Sequence, residues 1–121
     1  KCQTIIFQRK ENRAMTKFQG RIVLMRQPIG GVNAEGRAWR VQELLLKGVN
    51  ANEGEYVCGR ILGDDIDAAG EMLGVCHVDE RGNPAGVFEL NLRLGYSTQS
   101  KDGVQYHHPR VRICAIERIG E

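Results

Sequence analysis

The 121-residue sequence contains no apolar run that approaches the ~20 residues of a membrane-spanning helix. Near its beginning, Ile5, Ile6 and Phe7 form an apolar core of only three residues. The core of a secretory signal needs ~7–15 residues. The sequence therefore predicts no membrane partner, and we find no secretory signal in it.

Cysteine is scarce, and its spacing argues against a metal site. The four cysteines are Cys2, Cys58, Cys76 and Cys114, and no two of them form a C-x-x-C pair. No histidine stands at ligand spacing from two of them, so structural zinc is not expected. We predict ordinary reduced thiols, with one disulfide as the open alternative. Reduced thiols favour a cytoplasmic location.

A set of polar residues suited to catalysis is also missing. His107 and His108 are adjacent, and neighbouring residues of a strand point to opposite faces, so the two rings cannot serve one site. Ser97, Ser100 and Cys58 have no evident base partner. We predict that the chain is not an enzyme.

The acidic and glycine-rich segments match no ligand motif. The carboxylates lack the spacing and the glycine of a calcium loop, and the glycines form neither G-x-G-x-x-G nor a P-loop. We therefore predict no metal and no cofactor. The carboxylates are Asp64, Asp65, Asp67 and Glu71, and the glycines are Gly30, Gly31 and Gly36.

Charge is present in both signs but is distributed unevenly. Residues 1–47 contain ten Lys and Arg against three Asp and Glu, residues 48–90 two against nine, and residues 91–121 five against three. The net charge of +2 thus conceals a possible basic face and a possible acidic face. The alternative is that these segments interleave in space and their charges balance locally.

Strand patterns dominate the chain. We predict an extension over residues 1–14 and one domain over 15–121. If the extension is ordered, Ile5 and Phe7 would be buried by adding a strand to a sheet edge. Alternation and turn residues place strands at 17–27, 38–47, 55–62, 87–96 and 104–119. A flexible loop is expected at 28–37 and a hairpin loop at 97–103.

One short helix is predicted over residues 65–73. Ile66, Ala69 and Leu73 share one side of it, and Asp64 or Asp65 is a suitable N-cap. The following strand alternates most regularly, and its core face is expected to hold Phe88, Leu90, Leu92 and Leu94.

Three strands, a helix and two strands follow the order of the OB fold. We predict a mainly β protein, a five-stranded OB-fold-like antiparallel barrel with one short helix between the third and fourth strands. Other small antiparallel barrels and a β-sandwich are the alternatives.

Several short patches carry a family resemblance. They are GRIV at 20–23, GVNAEGRAWRVQEL at 31–44, LGD-x-ID at 62–67 and RI-x-x-IE at 112–117. Together they resemble a family of short, uncharacterised bacterial OB-fold proteins that is itself similar to single-stranded DNA-binding proteins. The likeness covers roughly residues 16–118, and the chain departs from it at 1–14 and 74–86. Because that family's function is inferred from its fold, the resemblance implies the fold more than the activity.

Binding of single-stranded nucleic acid needs cations along the backbone and planar groups on which bases stack. Arginine outnumbers lysine 12 to 5, which suits phosphate contacts and stacking. For Trp39, exposed stacking and anchoring of the core or of a loop are both open; for Arg40 and Arg112, simple solvation is the alternative. The candidate nucleic-acid-binding residues are Arg26, Arg37, Trp39, Arg40, Tyr56, Arg60, Arg93, Tyr96, Tyr106, Arg110 and Arg112, with Arg21 as a further candidate cation.

Two functional hypotheses follow from these patterns. In the first, the chain is a non-enzymatic OB-fold module that binds single-stranded DNA or RNA on its second and third strands, beside the 28–37 and 97–103 loops. In the second, it is a protein–protein interaction or oligomerisation module. There, the acidic 48–90 segment of one copy would meet the basic 1–47 segment of another in a homo-oligomer.

Overall fold

The computed structural model describes residues 7–8 and 15–121. Seven strands and one helix occupy these residues. In chain order they are β1 (Phe7–Gln8), β2 (Thr16–Met25), β3 (Ile29–Val32), β4 (Ala38–Gly48), β5 (Val57–Leu62), α1 (Asp65–Gly74), β6 (Val87–Lys101) and β7 (Val104–Gly120). The five predicted strands and the predicted helix are confirmed as β2, β4, β5, β6, β7 and α1.

Five of the strands form a closed ring. The order around it is β7, β5, β4, β2, β6 and back to β7. The short strand β1 pairs with β7 outside the ring, opposite Ala115 and Ile116. The remaining residues of the predicted extension, including Ile5, lie outside the described residues. The mainly β class is thus confirmed, and the sheet is closed.

One pairing of the ring departs from the antiparallel prediction. Four of the five pairs of neighbouring strands in the ring are antiparallel. The fifth pair, β5 and β7, is parallel, with Arg60 opposite Arg112. The reason is geometric. Strand direction alternates around an antiparallel ring, so a ring with an odd number of strands must contain one parallel pair.

The core fills the inside of the ring. Strand alternation sends one face of each strand inward, and the largest fully buried side chains come from four strands and the helix. Phe88 and Leu90 of β6 face Leu44 of β4 and Ile113 of β7 in one apolar cluster. This cluster replaces water around the strands' inner faces, which is the main favourable term in folding.

Helix α1 covers one end of the core. Ile66, Ala69 and Leu73 are buried, as their spacing predicts, and Met72 is buried with them. Asp64 occupies the N-cap position, but its side chain makes no capping hydrogen bond. The helix is therefore held by its apolar side rather than by its cap.

The connection 28–37 is not the flexible loop that its glycines suggest. Residues Ile29–Val32 form β3 and pair with β4. The lack of a side chain at Gly30 lets β3 and β4 approach each other closely, because a Cβ on Gly30 would lie 2.7 Å from the carbonyl oxygen of Trp39. The turn that follows is closed by Asn33, whose side-chain oxygen accepts hydrogen bonds from the backbone N–H groups of Glu35 and Arg37.

The hairpin loop expected at 97–103 is much shorter in the structure. Strands β6 and β7 remain paired up to Lys101 and Val104. Only Asp102 and Gly103 turn, with φ values of 53° and 77° that suit a two-residue hairpin. Because β6 continues past the ring, Leu94 is not in the core as predicted but is 70% exposed.

A buried asparagine supports an irregularity in β2. The register of β2 against β4 shifts between Ile22 and Leu24, which leaves backbone groups there without strand partners. Asn83 is only 5% exposed. Its side chain accepts a hydrogen bond from the backbone N–H of Met25 and donates one to the carbonyl of Val23. The 75–86 segment is thereby attached to the ring.

No helix in the described part of the chain is long and apolar enough to cross a membrane.

Replacing Asn83 with alanine should destabilise the fold. The change leaves the carbonyl of Val23 and the N–H of Met25 without these partners. Because both groups are part-buried, each should cost about 1–2 kcal/mol, the lower part of the range for a buried unpaired group. We expect the free energy of unfolding to fall by about 2–4 kcal/mol in urea titrations followed by circular dichroism. Asn50→Ala, at an exposed turn, is the control and should change it by less than ~0.5 kcal/mol. Equal losses in both variants would contradict this role.

Candidate nucleic-acid interface

A shallow cavity lies where β4, β5, β7 and the start of α1 meet. Its volume is about 460 Å³. It brings together Trp39, Arg40 and Arg112, which are distant in sequence. The other lining residues are Ala38, Leu62, Gly63 and Asp64. We call this the tryptophan cavity.

Trp39 is positioned by a glycine on the neighbouring strand. It pairs with Gly31 across β3 and β4, and a Cβ on Gly31 would lie 3.1 Å from Cζ2 of the indole. The indole therefore lies over the backbone of Gly31, and 44% of the Trp39 residue remains exposed to solvent. Trp39 is thus outside the core: one part of the indole anchors the 28–37 connection, and the other part is exposed to solvent.

Arg40 is engaged by the helix. Its two terminal nitrogens donate hydrogen bonds of 3.1 Å to the two carboxylate oxygens of Asp67. These hydrogen bonds, followed by the positive charge, hold the pKa of the Asp67 carboxyl below its ordinary value. The same contact raises the pKa of Arg40. A phosphate that approaches Arg40 therefore competes with Asp67 for the guanidinium.

Arg112 faces a second helix carboxylate. Its guanidinium lies 3.7 Å from Asp65, and the two side chains are only 16% and 19% exposed. The contact is ionic rather than a hydrogen bond, since Oδ2 of Asp65 and Nε of Arg112 are buried without a hydrogen-bond partner in the described residues. The pair fixes the start of α1 to β7.

Three arginines lie side by side on adjacent strands. Arg60 of β5 pairs with Arg112 of β7, and Arg112 pairs with Arg93 of β6. Residues directly opposite each other share a face of the sheet, so this arginine row follows the outer surface of the ring. Like charges on neighbouring strands repel.

The row ends at a carboxylate on β4. Glu43 pairs with Arg60 and accepts a 3.7 Å hydrogen bond from the thiol of Cys58. Burial, then the charge of Glu43, raises the pKa of the Cys58 thiol. The thiol is therefore not activated as a nucleophile.

The three candidate tyrosines lie in different places. Tyr56 stands just before the start of β5, the opposite end from the tryptophan cavity, which adjoins Leu62. Along the β6–β7 hairpin, alternation places Tyr106 on the same face as Arg110 and Arg112, and Tyr96 on the opposite face. Only Tyr106 can thus extend the surface of the arginine row.

The remaining candidate cations lie outside the row of three, although Arg110 shares its face of the β6–β7 hairpin. Arg26 follows the end of β2, and its N–H donates to the carbonyl of Glu43. Arg37 lies in the turn between β3 and β4. Arg110 is exposed on β7 and its guanidinium donates to the carbonyl of Pro109. All three are exposed.

The acidic and basic segments of the sequence interleave in space. Arg40, from the basic segment, pairs with Asp67, from the acidic one, and Lys17 pairs with Glu89 in the same way. The sequence pattern offers Asp65 as an N-cap and places both Asp65 and Asp67 among carboxylates that match no ligand motif. Nothing in their spacing identifies their arginine partners, which are brought near only by ring closure.

A second cavity, of about 570 Å³, lies between β2 and the segment at 79–81. Its cations, Arg21, Lys47 and Arg81, are accompanied by Asp79 and Glu80, and no aromatic residue lines it. It is therefore less suited to a nucleic acid than the tryptophan cavity.

Within residues 15–121, no cluster of three or more His, Cys, Asp or Glu could hold a metal ion.

The chain matches no protein-family model, no curated protein and no solved structure. The resemblance to OB-fold proteins stays a prediction from the residues.

The contact between Arg40 and Asp67 can be tested by carboxyl titration. Because the folded pKa of Asp67 is depressed, the pair stabilises the fold above the ordinary value of 3.8 and loses that effect as pH falls through the folded pKa. By carbon-detected NMR, Asp67 should titrate below 3.8, and Arg40→Gln should move its midpoint upward. Lys17→Gln should leave it in place. If the titration midpoint of Asp67 is unchanged in Arg40→Gln, the contact is not formed in solution.

Proposed function

We propose that the chain is a non-enzymatic OB-fold module that binds single-stranded DNA or RNA. The observation that supports this most is the exposed Trp39 beside a row of three arginines on the outer face of the ring. A planar group and cations on one surface are the two ingredients of such binding. The closed five-strand ring, with its helix between the third and fourth ring strands along the chain, agrees with the OB order.

The geometry suggests a path for the strand. One base would stack on Trp39, and the backbone would continue across Arg60, Arg112 and Arg93. Tyr106 offers a second planar group where the row continues along the β6–β7 hairpin. Strands lie about 4.8 Å apart, so the row extends over roughly 10 Å, a length suited to a few nucleotides.

The helix limits the affinity of this surface. Asp65 and Asp67 already neutralise Arg112 and Arg40, so a polyanion gains less from these two arginines than from cations that face solvent alone. Non-specific binding is mainly electrostatic and salt-dependent. We therefore propose micromolar binding that is tolerant of sequence and weakens as salt rises.

Fluorescence anisotropy with a labelled mixed-sequence DNA strand tests the proposal directly. We expect binding in the micromolar range at low salt, with log K falling by ~0.7 for each phosphate contact as log salt rises. Because Trp39 is the only tryptophan, its intrinsic fluorescence should be quenched in the same titration. Absence of binding at low salt would exclude the proposed function.

Substitutions at the cavity and the row should separate stacking from charge. Trp39→Ala should weaken binding by the ~1–3 kcal/mol of one stacked base, and Arg60→Gln should lower the salt slope by ~0.7. The controls are Val49→Ala, at a comparably exposed apolar residue, and Lys17→Gln, which removes one charge on β2. If the controls weaken binding as much, the ligand lies elsewhere.

Releasing Arg40 should strengthen binding. Asp67→Asn removes the carboxylate that holds both guanidinium nitrogens, so we expect a roughly three- to tenfold gain in affinity at low salt and a steeper salt dependence. Glu71→Gln removes the same charge one turn further along α1 and is the matched control. Equal gains in both variants would mean that net charge, and not the release of Arg40, is responsible.

The second candidate function is a protein–protein interaction or oligomerisation module. It is favoured by the β6–β7 hairpin, which leaves the ring with exposed apolar side chains. No disulfide joins any two of Cys58, Cys76 and Cys114, the three cysteines in the described residues. This is in keeping with a proposed reducing, cytoplasmic location.

A further inference from the structure

The β6–β7 hairpin continues beyond the ring as a two-stranded arm, residues 94–111. Strand β2 pairs with β6 only as far as Leu92, and β5 pairs with β7 at Arg112. Among residues 7–8 and 15–121, no third strand pairs with the arm. At 3.4 Å per residue it is about 27 Å long. A two-stranded ribbon is marginally stable in water without a surface that covers one of its faces.

One face of the arm is apolar close to the ring. Leu94 lies opposite Val111, and Tyr96 lies opposite Pro109. Leu94 and Tyr96 are 70% and 73% exposed, the two largest values among the exposed large hydrophobic residues. The face continues outward to Thr98, whose hydroxyl lies 3.1 Å from Nδ1 of the directly opposite His107.

This face also carries no acidic or basic side chain other than histidine. Alternation from Leu94 and Val111 assigns eight residues to it: Leu94, Tyr96, Thr98, Ser100, Gln105, His107, Pro109 and Val111. None of them is Asp, Glu, Lys or Arg. The opposite face carries Arg110 and continues into the arginine row. The two faces therefore suit different partners.

We propose that the uncharged face of the arm binds the same face of a second copy of this chain. Two-fold pairing places each patch against itself, and a face without fixed charge can do so without like-charge repulsion. The arginine face could not pair with itself in this way, because Arg110 and the arginine row of one chain would lie against the same arginines of the other. A partner recognised by charge would find no group to pair with on the uncharged face.

The size of the arm sets the strength of this association. A face about 27 Å long and about 10 Å wide buries roughly 300 Å² per copy, or about 600 Å² in total. Stable complexes bury about 1,200 Å² or more. We therefore expect a weak, transient dimer that forms only at high protein concentration. Both arginine faces remain outside such a dimer, so this inference does not depend on nucleic-acid binding.

Sedimentation equilibrium over about 5–500 µM tests the dimer. The wild-type mass should rise from one copy towards two across this range. Leu94→Asp and Tyr96→Asp should each raise the dissociation constant tenfold or more, because a buried unpaired charge is costly. Gln99→Asp adds the same charge to the opposite face of the arm and should leave the dimer intact.

The outcomes are separable from folding and from nucleic-acid binding. Both substituted side chains are mostly exposed outside the core, and circular dichroism melts check that the ring is intact; Leu94→Ser gives a milder variant with the same expected direction. A wild-type chain that stays monomeric at the highest concentration would overturn the inference. So would a dimer that survives both aspartate variants at the arm's uncharged face, or one that Gln99→Asp disrupts equally.

Discussion

Closure of a ring with an odd number of strands depends on one parallel contact, between Arg60 and Arg112. Without it, β5 and β7 would be two open edges of a curved sheet, and such edges invite pairing with other chains. The same Arg112 faces Asp65 at the start of α1. Closure of the sheet, attachment of the helix and the centre of the arginine row thus coincide at Arg112. Its backbone takes part in the first, and its side chain takes part in the other two.

This coincidence explains why the surface is less basic than the sequence suggests. The arginines that approach the tryptophan cavity do so where the helix presents its acidic first turn. Carboxylates there suit the helix dipole and also balance Arg40 and Arg112. An anionic ligand must compete with that internal balance, so charge and selectivity are set jointly by the sheet and the helix.

The sequence predicts the elements well because their signals are local. Alternation in β6 and the spacing of Ile66, Ala69 and Leu73 need only neighbouring residues. The pairing of Ile29–Val32 with β4 was missed because Gly30 and Gly31 read as breakers, whereas here they permit close approach to Trp39. Exposure of Leu94 was missed for another reason: alternation gives the face of a residue, but only the lengths of neighbouring strands show where the core ends.

The two-residue turn at Asp102 and Gly103 also has a consequence for the order in which contacts form. It joins the strands that share the longest ladder in the sheet, and its pairs are local in sequence, so this hairpin can form on the microsecond scale. Closing the ring instead joins Arg60 to Arg112 across about 50 residues, at a greater loss of chain entropy. We therefore expect the carboxyl-terminal hairpin to form early and ring closure to be the late, topology-limited step.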